Sequence, residues 1–325
     1  MELQFHTLDV FTSTRLEGNP LAVVSVPAAL KGKLSQETMA KIAQEFHLSE
    51  TVFLHEGEGE GDDASTSTER HINIFTVEGE IPFAGHPTIG TSVLVKYHLA
   101  LPSVDTLVAK CGPIGIEAGP GQYIRARIPH DVRVHGRTLA DVVRGSDHPG
   151  LSADPVVREA ELKAPVVSIV NGMTFVLVKL PSLGALGALE KERLDFAKLD
   201  TPLLDEGWRE SFVGRYYYVD VGDGGGDDGG EKKRRLRTRL VEVGFEDPAT
   251  GSAASALCSF LTLVEEKRGA RFEITQGVEM GRRSVIHVET TVKQGQGEDG
   301  LILDDVYLGG TAVVVMKGSL KVDNL

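Results

Sequence analysis

The chain is short of cysteine, of tryptophan, of long apolar runs and of positive charge, and most of these shortages exclude a class of protein. Its two cysteines, Cys111 and Cys258, are far apart and belong to no CxxC or Cys/His cluster. That excludes a disulfide framework and a zinc-finger-type site. The longest apolar runs, such as residues 312–316, fall far below the length of a bilayer-spanning helix. The start, MELQFHTLDVF, has no basic stretch leading into an apolar core, so no signal peptide is expected. Lys and Arg number 34 against 47 Asp and Glu, a formal net charge of −13. This argues against a nucleic-acid or anionic-membrane partner, and leaves room for a small anionic substrate held by a few local donors. The common cofactor signatures are also missing: no GxxxxGK(S/T), no GxGxxG between strand and helix, no HExxH, no GxSxG. An enzyme built on this chain is expected to need no cofactor and no metal, and to be soluble and cytoplasmic.

What is present is an ordinary globular composition, 41% hydrophobic and 25% charged, over 325 residues, more than one core usually organises. Two domains are expected. Short apolar or alternating segments punctuated by Gly, Pro or Asp read as strands at 21–26, 51–54, 72–76, 124–128, 166–170, 175–178, 216–221, 239–243, 272–275, 284–288 and 311–316. Ser35 can cap a helix with Met39, Ile42, Ala43 and Phe46 on one face. The class is α/β (α+β), rich in strand. Residues 56–70 (EGEGEGDDASTSTER) and the glycine-rich 222–230 read as mobile surface insertions, the second running into a basic cluster at 232–239 expected to form a solvated hairpin end.

Two segments carry no charge at all, 87–95 and 248–264. A helix without a polar face is buried on every side. Each opens with Gly, Pro or Thr and small residues, so each half of the chain is expected to wrap its strands around one buried helix, a weak internal duplication.

Three stretches carry candidate chemistry. In PFAGHPTIG, Pro87 suits the first helical position, which puts Gly85 and His86 at a helix entrance where free N–H groups and the helix dipole favour an anion. In GFEDPATGSAAS, Glu246 and Asp247 precede a second helix start with Thr250, Gly251 and Ser252; for Asp247 the plainer role is a helix cap. In HLSETVF, Glu50 stands at the mouth of an apolar strand, either a solvated turn residue or a carboxylate whose desolvation makes it an acid/base near neutrality. Cys258 lies inside the second uncharged helix and reads as a packed small hydrophobe.

Taken together, DVFTSTRLEGNPLAVV, IAQEFHLSETVF, the IFT…EIPFAGHPTIGT block, GFEDPATGSA, QGVEMGRRS and a final GGTAVVV resemble the PhzF, or phenazine biosynthesis-like, family within the diaminopimelate epimerase fold group. The landmarks cover nearly the whole chain in the family's order. The resemblance implies two similar domains, each a strand barrel around a central helix, over 1–120 (with a return strand at 311–320) and 121–325, with the active site in the cleft between them. It implies a homodimer, no cofactor, and isomerisation of a dihydro-hydroxyanthranilate-type carboxylate by proton movement. Glu50 would take and return the proton, and His86, Asp247 and Ser252 would assist the transfer or hold the substrate. The backbone around Gly85, Thr250 and Gly251 would face the substrate's carboxylate or ring oxygen. Residues 56–70 and 222–235 are longer than the usual family connections, and Val77 follows IFT where proline is common. Two other readings compete. A two-thiol racemase would need a cysteine at each helix entrance, where His86–Pro87 and Pro248–Ala249 stand instead. A non-catalytic small-molecule-binding or regulatory protein would keep the fold and the ligand contacts without needing Glu50.

Overall fold

The computed structural model describes residues 1–30, 32–57, 67–143, 148, 150–190, 194–199, 201–224, 233–242, 245–295 and 300–323. Most of the two expected mobile insertions, 58–66 and 225–232, therefore lies outside the described residues. By contact the chain divides into two compact units, one of 1–128 with 308–325 and one of 129–307.

The first unit is organised by strand order. Ala312–Lys321 pairs antiparallel with Glu2–Val10, which pairs antiparallel with Asn19–Val26. Asn19–Val26 runs parallel to Thr51–His55, itself antiparallel to Glu69–Phe75. Glu69–Phe75 carries the short strand Glu80–Ile81 and lies parallel to Thr106–Ala109, which pairs with Gly112–Ala118. The parallel step from the second strand to the third needs a crossover, and the helix Gln36–Phe46 supplies it. Ser35 caps it as expected, accepting from Thr38 N, and Met39, Ile42 and Ala43 are buried. These join Leu3, Val24, Phe53 and Phe75 in a core on the outer face of the strands.

The second unit repeats this order. Arg133–Val134 pairs with Val166–Val170, and that with Met173–Lys179, both antiparallel. Met173–Lys179 is parallel to Phe212–Gly224, which is antiparallel to Lys233–Glu242. Lys233–Glu242 carries the short strand Phe245–Asp247 and lies parallel to Ala270–Gln276, which pairs with Ser284–Gln294. The duplication thus extends over whole units, strand for strand, beyond the two helix starts that suggest it in the sequence.

Inside each set of strands lies one buried helix. All nine residues of Gly85–Val93 are buried, as are ten of the eleven in Gly251–Leu261. Small residues allow this. A Cβ on Gly90 would fall 2.6 Å from Leu21 Cδ2 and 2.7 Å from Val10 Cγ2. The buried hydroxyls of Thr88, Ser92 and Ser255 bond to the carbonyl four residues back, so they need no water. Each helix continues into a single π turn, Leu94–His98 and Thr262–Glu266. Among the described residues no helix is long and apolar enough to cross a membrane.

The basic cluster meets the expectation in part. From Lys233 on it belongs to the strand Lys233–Glu242, which pairs back on Phe212–Gly224 as a hairpin with Lys233 and Arg235 exposed, but two of its arginines are largely enclosed. Arg234 is held by Asp220 at 2.7 Å, Glu265 at 2.6 Å and Glu266 at 3.2 Å. Arg239 pairs with Glu246, and the same guanidinium bonds the carbonyls of Leu186, Gly187 and Leu189, closing the end of helix Leu183–Gly187. The two arginines lie an odd number of residues apart and so on opposite faces of the strand; each is covered by acidic or carbonyl groups from elsewhere in the chain, which a local composition count does not show.

Candidate active site

The helix Gln36–Phe46 stops at His47, whose left-handed backbone (φ 51°) turns the chain back toward the sheet. Three residues later Glu50 leads into Thr51–His55, which places its carboxyl at the head of a buried strand. The Glu50 side chain is 18% exposed, but Oε2 itself is enclosed and, among the described residues, receives no hydrogen bond. Desolvation raises the Glu50 pKa from the ordinary carboxylate range to about 7, against the opposing pull of a hydrogen bond from the Ser49 side chain.

His86 Nε2 lies 3.6 Å from that oxygen. His86 is the second residue of the buried helix Gly85–Val93, which begins two residues earlier than Pro87 suggests. Proline is tolerated there because the first-turn N–H groups of a helix have no acceptor within it. Asn19, 1% exposed at the head of Asn19–Val26, sets its side-chain amide Nδ2 3.5 Å from His86 Nδ1. With Asn19 donating, Nδ1 accepts and the imidazole proton sits on Nε2, facing Glu50. Sequence reasoning did not single out Asn19, although it falls within the GNPLAVV stretch.

The second unit carries the other candidate residues. Asp247 ends the strand Phe245–Asp247, paired with Leu240. It does not cap the helix. The N-cap is Thr250, and its hydroxyl bonds to Asp247 Oδ2 at 2.5 Å instead of to the helix. Gly251 opens the helix and Ser252, 7% exposed, follows it. Ser252 is thus the second residue of its unit's buried helix, as His86 is of the other. Glu246 is committed elsewhere, in a two-point ion pair with Arg239 in which both side chains are nearly enclosed.

Two residues behind the Asp247–Ser252 turn were not singled out in the sequence. Gln276 is completely buried and bonds to Asp247, Thr250 and Tyr216. Gly277 holds φ 73°, and a Cβ there would lie 2.6 Å from the Pro248 carbonyl oxygen and 2.4 Å from that of Arg282. The turn can lie this close to the next strand only because residue 277 has no side chain. The structure therefore groups Glu50, Gly85 and His86 in one unit, and Asp247, Thr250, Gly251 and Ser252 in the other. Cys258 is buried within its helix, with its thiol pushed well above the ordinary range by desolvation, while Cys111 is exposed in the turn between two strands.

The model of the phenazine biosynthesis-like protein family matches residues 8–201 and 231–318, leaving out the stretch that contains the glycine-rich 222–230. An isomerase of Mesorhizobium japonicum, named uncharacterized isomerase mll1393, is 32% identical, with 96% of each chain covered. The trans-2,3-dihydro-3-hydroxyanthranilate isomerase of Pseudomonas aeruginosa is 30% identical over 91% of this chain and 92% of its own. The crystal structure of a PhzF-family protein of Bacillus anthracis superposes with a TM-score of 0.67 at 18% identity, covering 99% of this chain and all of the other. A hydroxyproline epimerase of Agrobacterium vitis shares the fold at TM-score 0.58 and 12% identity, covering 99% of this chain and 93% of its own. The chain belongs to the phenazine biosynthesis-like family, with the mixed α/β, epimerase-like fold of its relatives.

Proposed function

We propose that this PhzF-like isomerase moves a proton within a small unsaturated carboxylic acid of the dihydro-hydroxyanthranilate type, by general acid/base catalysis and without a cofactor. The observation that carries the proposal is the Glu50 carboxyl, enclosed at Oε2, raised to a pKa of about 7 and 3.6 Å from His86 Nε2. A base of that pKa is populated in both forms near neutrality, as a group that must take a proton and give it back requires. Ionised Glu50 removes a proton from a carbon next to the unsaturated system. The electron pair of that C–H bond joins the conjugated chain, and the protonated carboxyl then delivers the proton to another carbon, returning Glu50 to its ionised form. Nothing is oxidised or reduced.

The Nε2–H of His86 and the first-turn N–H groups at Gly85 and His86 supply donors for the charge that develops on the substrate. The roles of Asp247, Thr250, Gly251 and Ser252 in holding the substrate's polar groups rest on the family resemblance, as does a homodimeric assembly. Two relatives support the reading, one named an isomerase and one named for trans-2,3-dihydro-3-hydroxyanthranilate.

The test is isomerisation of trans-2,3-dihydro-3-hydroxyanthranilate followed by NMR, with wild type, Glu50→Gln and His86→Asn. Positioned acid/base catalysis is worth roughly 10²–10⁴-fold, so Glu50→Gln is expected to lose at least about a hundredfold in kcat. Wild-type turnover in Glu50→Gln would refute the assignment. A wild-type protein that leaves this compound unchanged would remove it as the substrate.

A further inference from the structure

Gln276 is completely buried behind the candidate residues, and its orientation follows from the chemistry of its neighbours. Thr250 N–H can only donate, and it points at Oε1 from 3.3 Å. The Asp247 carbonyl can only accept, and it lies 2.8 Å from Nε2. These two backbone groups fix which end of the amide is oxygen. Oε1 then also accepts from the Tyr216 hydroxyl at 2.9 Å, and Nε2 gives its second hydrogen to Thr250 Oγ1 at 3.0 Å. With that donation received, the Thr250 hydroxyl hydrogen is free to go forward, and Asp247 Oδ2 is 2.5 Å away. The hydrogens of the Gln276 amide are thereby assigned, and the Thr250 hydroxyl keeps its own hydrogen within reach of Asp247.

We propose that Gln276 is a positioning residue which, through the Thr250 hydroxyl, holds Asp247 as a hydrogen-bond acceptor and so fixes the orientation of its carboxylate. The proposal deepens the isomerase reading. It assigns Asp247 the part of an anionic anchor for a substrate hydroxyl or ammonium group, and takes from it the part of proton donor. A carboxylate that already receives a hydroxyl hydrogen has its ionised form favoured. Tyr216 and Gln276 come from strands far apart in sequence, so the chain also ties the turn to the interior of its own unit.

The test reads Asp247 directly, without turnover, so its outcome is separable from that of the isomerase assignment. The side-chain carboxyl carbons of aspartate are labelled with ¹³C, Asp247 is assigned by its absence in Asp247→Asn, and its titration is followed in wild type, Thr250→Val and Gln276→Met. Thr250→Val removes only the relay hydroxyl and keeps the branched shape. The expected result is an Asp247 titration moved upward by about one pH unit in Thr250→Val. Gln276→Met should give the same upward move together with a lower Tm. A folded Gln276→Met whose Asp247 titrates as in wild type would overturn the proposal, and Gln276→Leu takes its place if Gln276→Met fails to fold. An Asp247 titration unchanged from wild type in Thr250→Val would overturn the proposal and leave Gln276 a structural residue only.

Discussion

Glu50 and His86 face one another across 3.6 Å, the first from the loop after an outer helix and the second from the first turn of a fully buried one. His86 is buried and the facing Glu50 oxygen is enclosed. The carboxylate therefore has its ionisation governed by burial, and the proposed chemistry turns on that pair.

The pH dependence of catalysis follows directly. Glu50 abstracts a proton only when ionised, so kcat/KM should rise with pH along an ascending limb with its midpoint near 7, where desolvation has placed the group. A profile flat from pH 5 to 8, measured with saturating and subsaturating substrate, would show that another group takes the proton.

Stability should carry the opposite signature. Between the unfolded value of 4.5 and the folded value of about 7, the native state binds more protons than the unfolded state, so stability falls as pH rises through that window and levels off above it. Glu50→Gln removes this dependence. The variant is expected to melt above wild type, with its stability advantage widening from pH 5 to pH 8 toward an upper bound of about 3 kcal/mol. Thermal melts across that range check it, and a gap independent of pH would contradict the raised pKa.

Gly277 should tolerate no side chain. Gly277→Ala forces a Cβ against two backbone carbonyls at a left-handed φ, at an expected cost of roughly 1–3 kcal/mol, and should displace the Asp247–Ser252 turn. Gly281, with φ 68° but nothing within 4 Å of where a Cβ would fall, is the matched control and should lose only about 1 kcal/mol as alanine. Denaturant midpoints of the two variants distinguish a steric cost from a merely conformational one.

The ion pair of Arg239 with Glu246 should prove structural. Glu246→Leu leaves a nearly enclosed guanidinium without its counter-charge and is expected to cost about 3–5 kcal/mol, whereas the double change Arg239→Met with Glu246→Leu should cost less than the sum of the two single losses. A double-mutant cycle by chemical denaturation measures this. If Glu246→Leu folded normally yet abolished turnover, Glu246 would belong to the reaction after all.

Local chemistry made much of this legible in the sequence. The absence of charge over 87–95 and 248–264 marked both central helices, because burial on every side leaves a compositional trace. Glu50 and His86, which the structure brings within 3.6 Å, each lie within a short motif of the sequence, as do the candidates Asp247 and Ser252. What escaped depends on distant strands meeting. Gln276 meets Tyr216 and Thr250 only once the parallel pairing of Lys233–Glu242 with Ala270–Gln276 exists. Arg234 and Arg239 read as solvated because the groups that cover them, Glu265 and Glu266 for one and the carbonyls of Leu186, Gly187 and Leu189 for the other, are distant in sequence. The helix starts were misplaced slightly, at Pro87 and at Asp247, because cap preferences are weak beside tertiary packing.

The most direct measurement is solvent exchange. Wild type and Glu50→Gln are mixed in D₂O with trans-2,3-dihydro-3-hydroxyanthranilate and a small panel of unsaturated cyclic carboxylic acids, and followed by NMR. The expected result is isomerisation or deuterium uptake with wild type and neither with Glu50→Gln, although the variant still binds the ligand. Exchange or isomerisation by Glu50→Gln at the wild-type rate would contradict the assignment of Glu50 as the base.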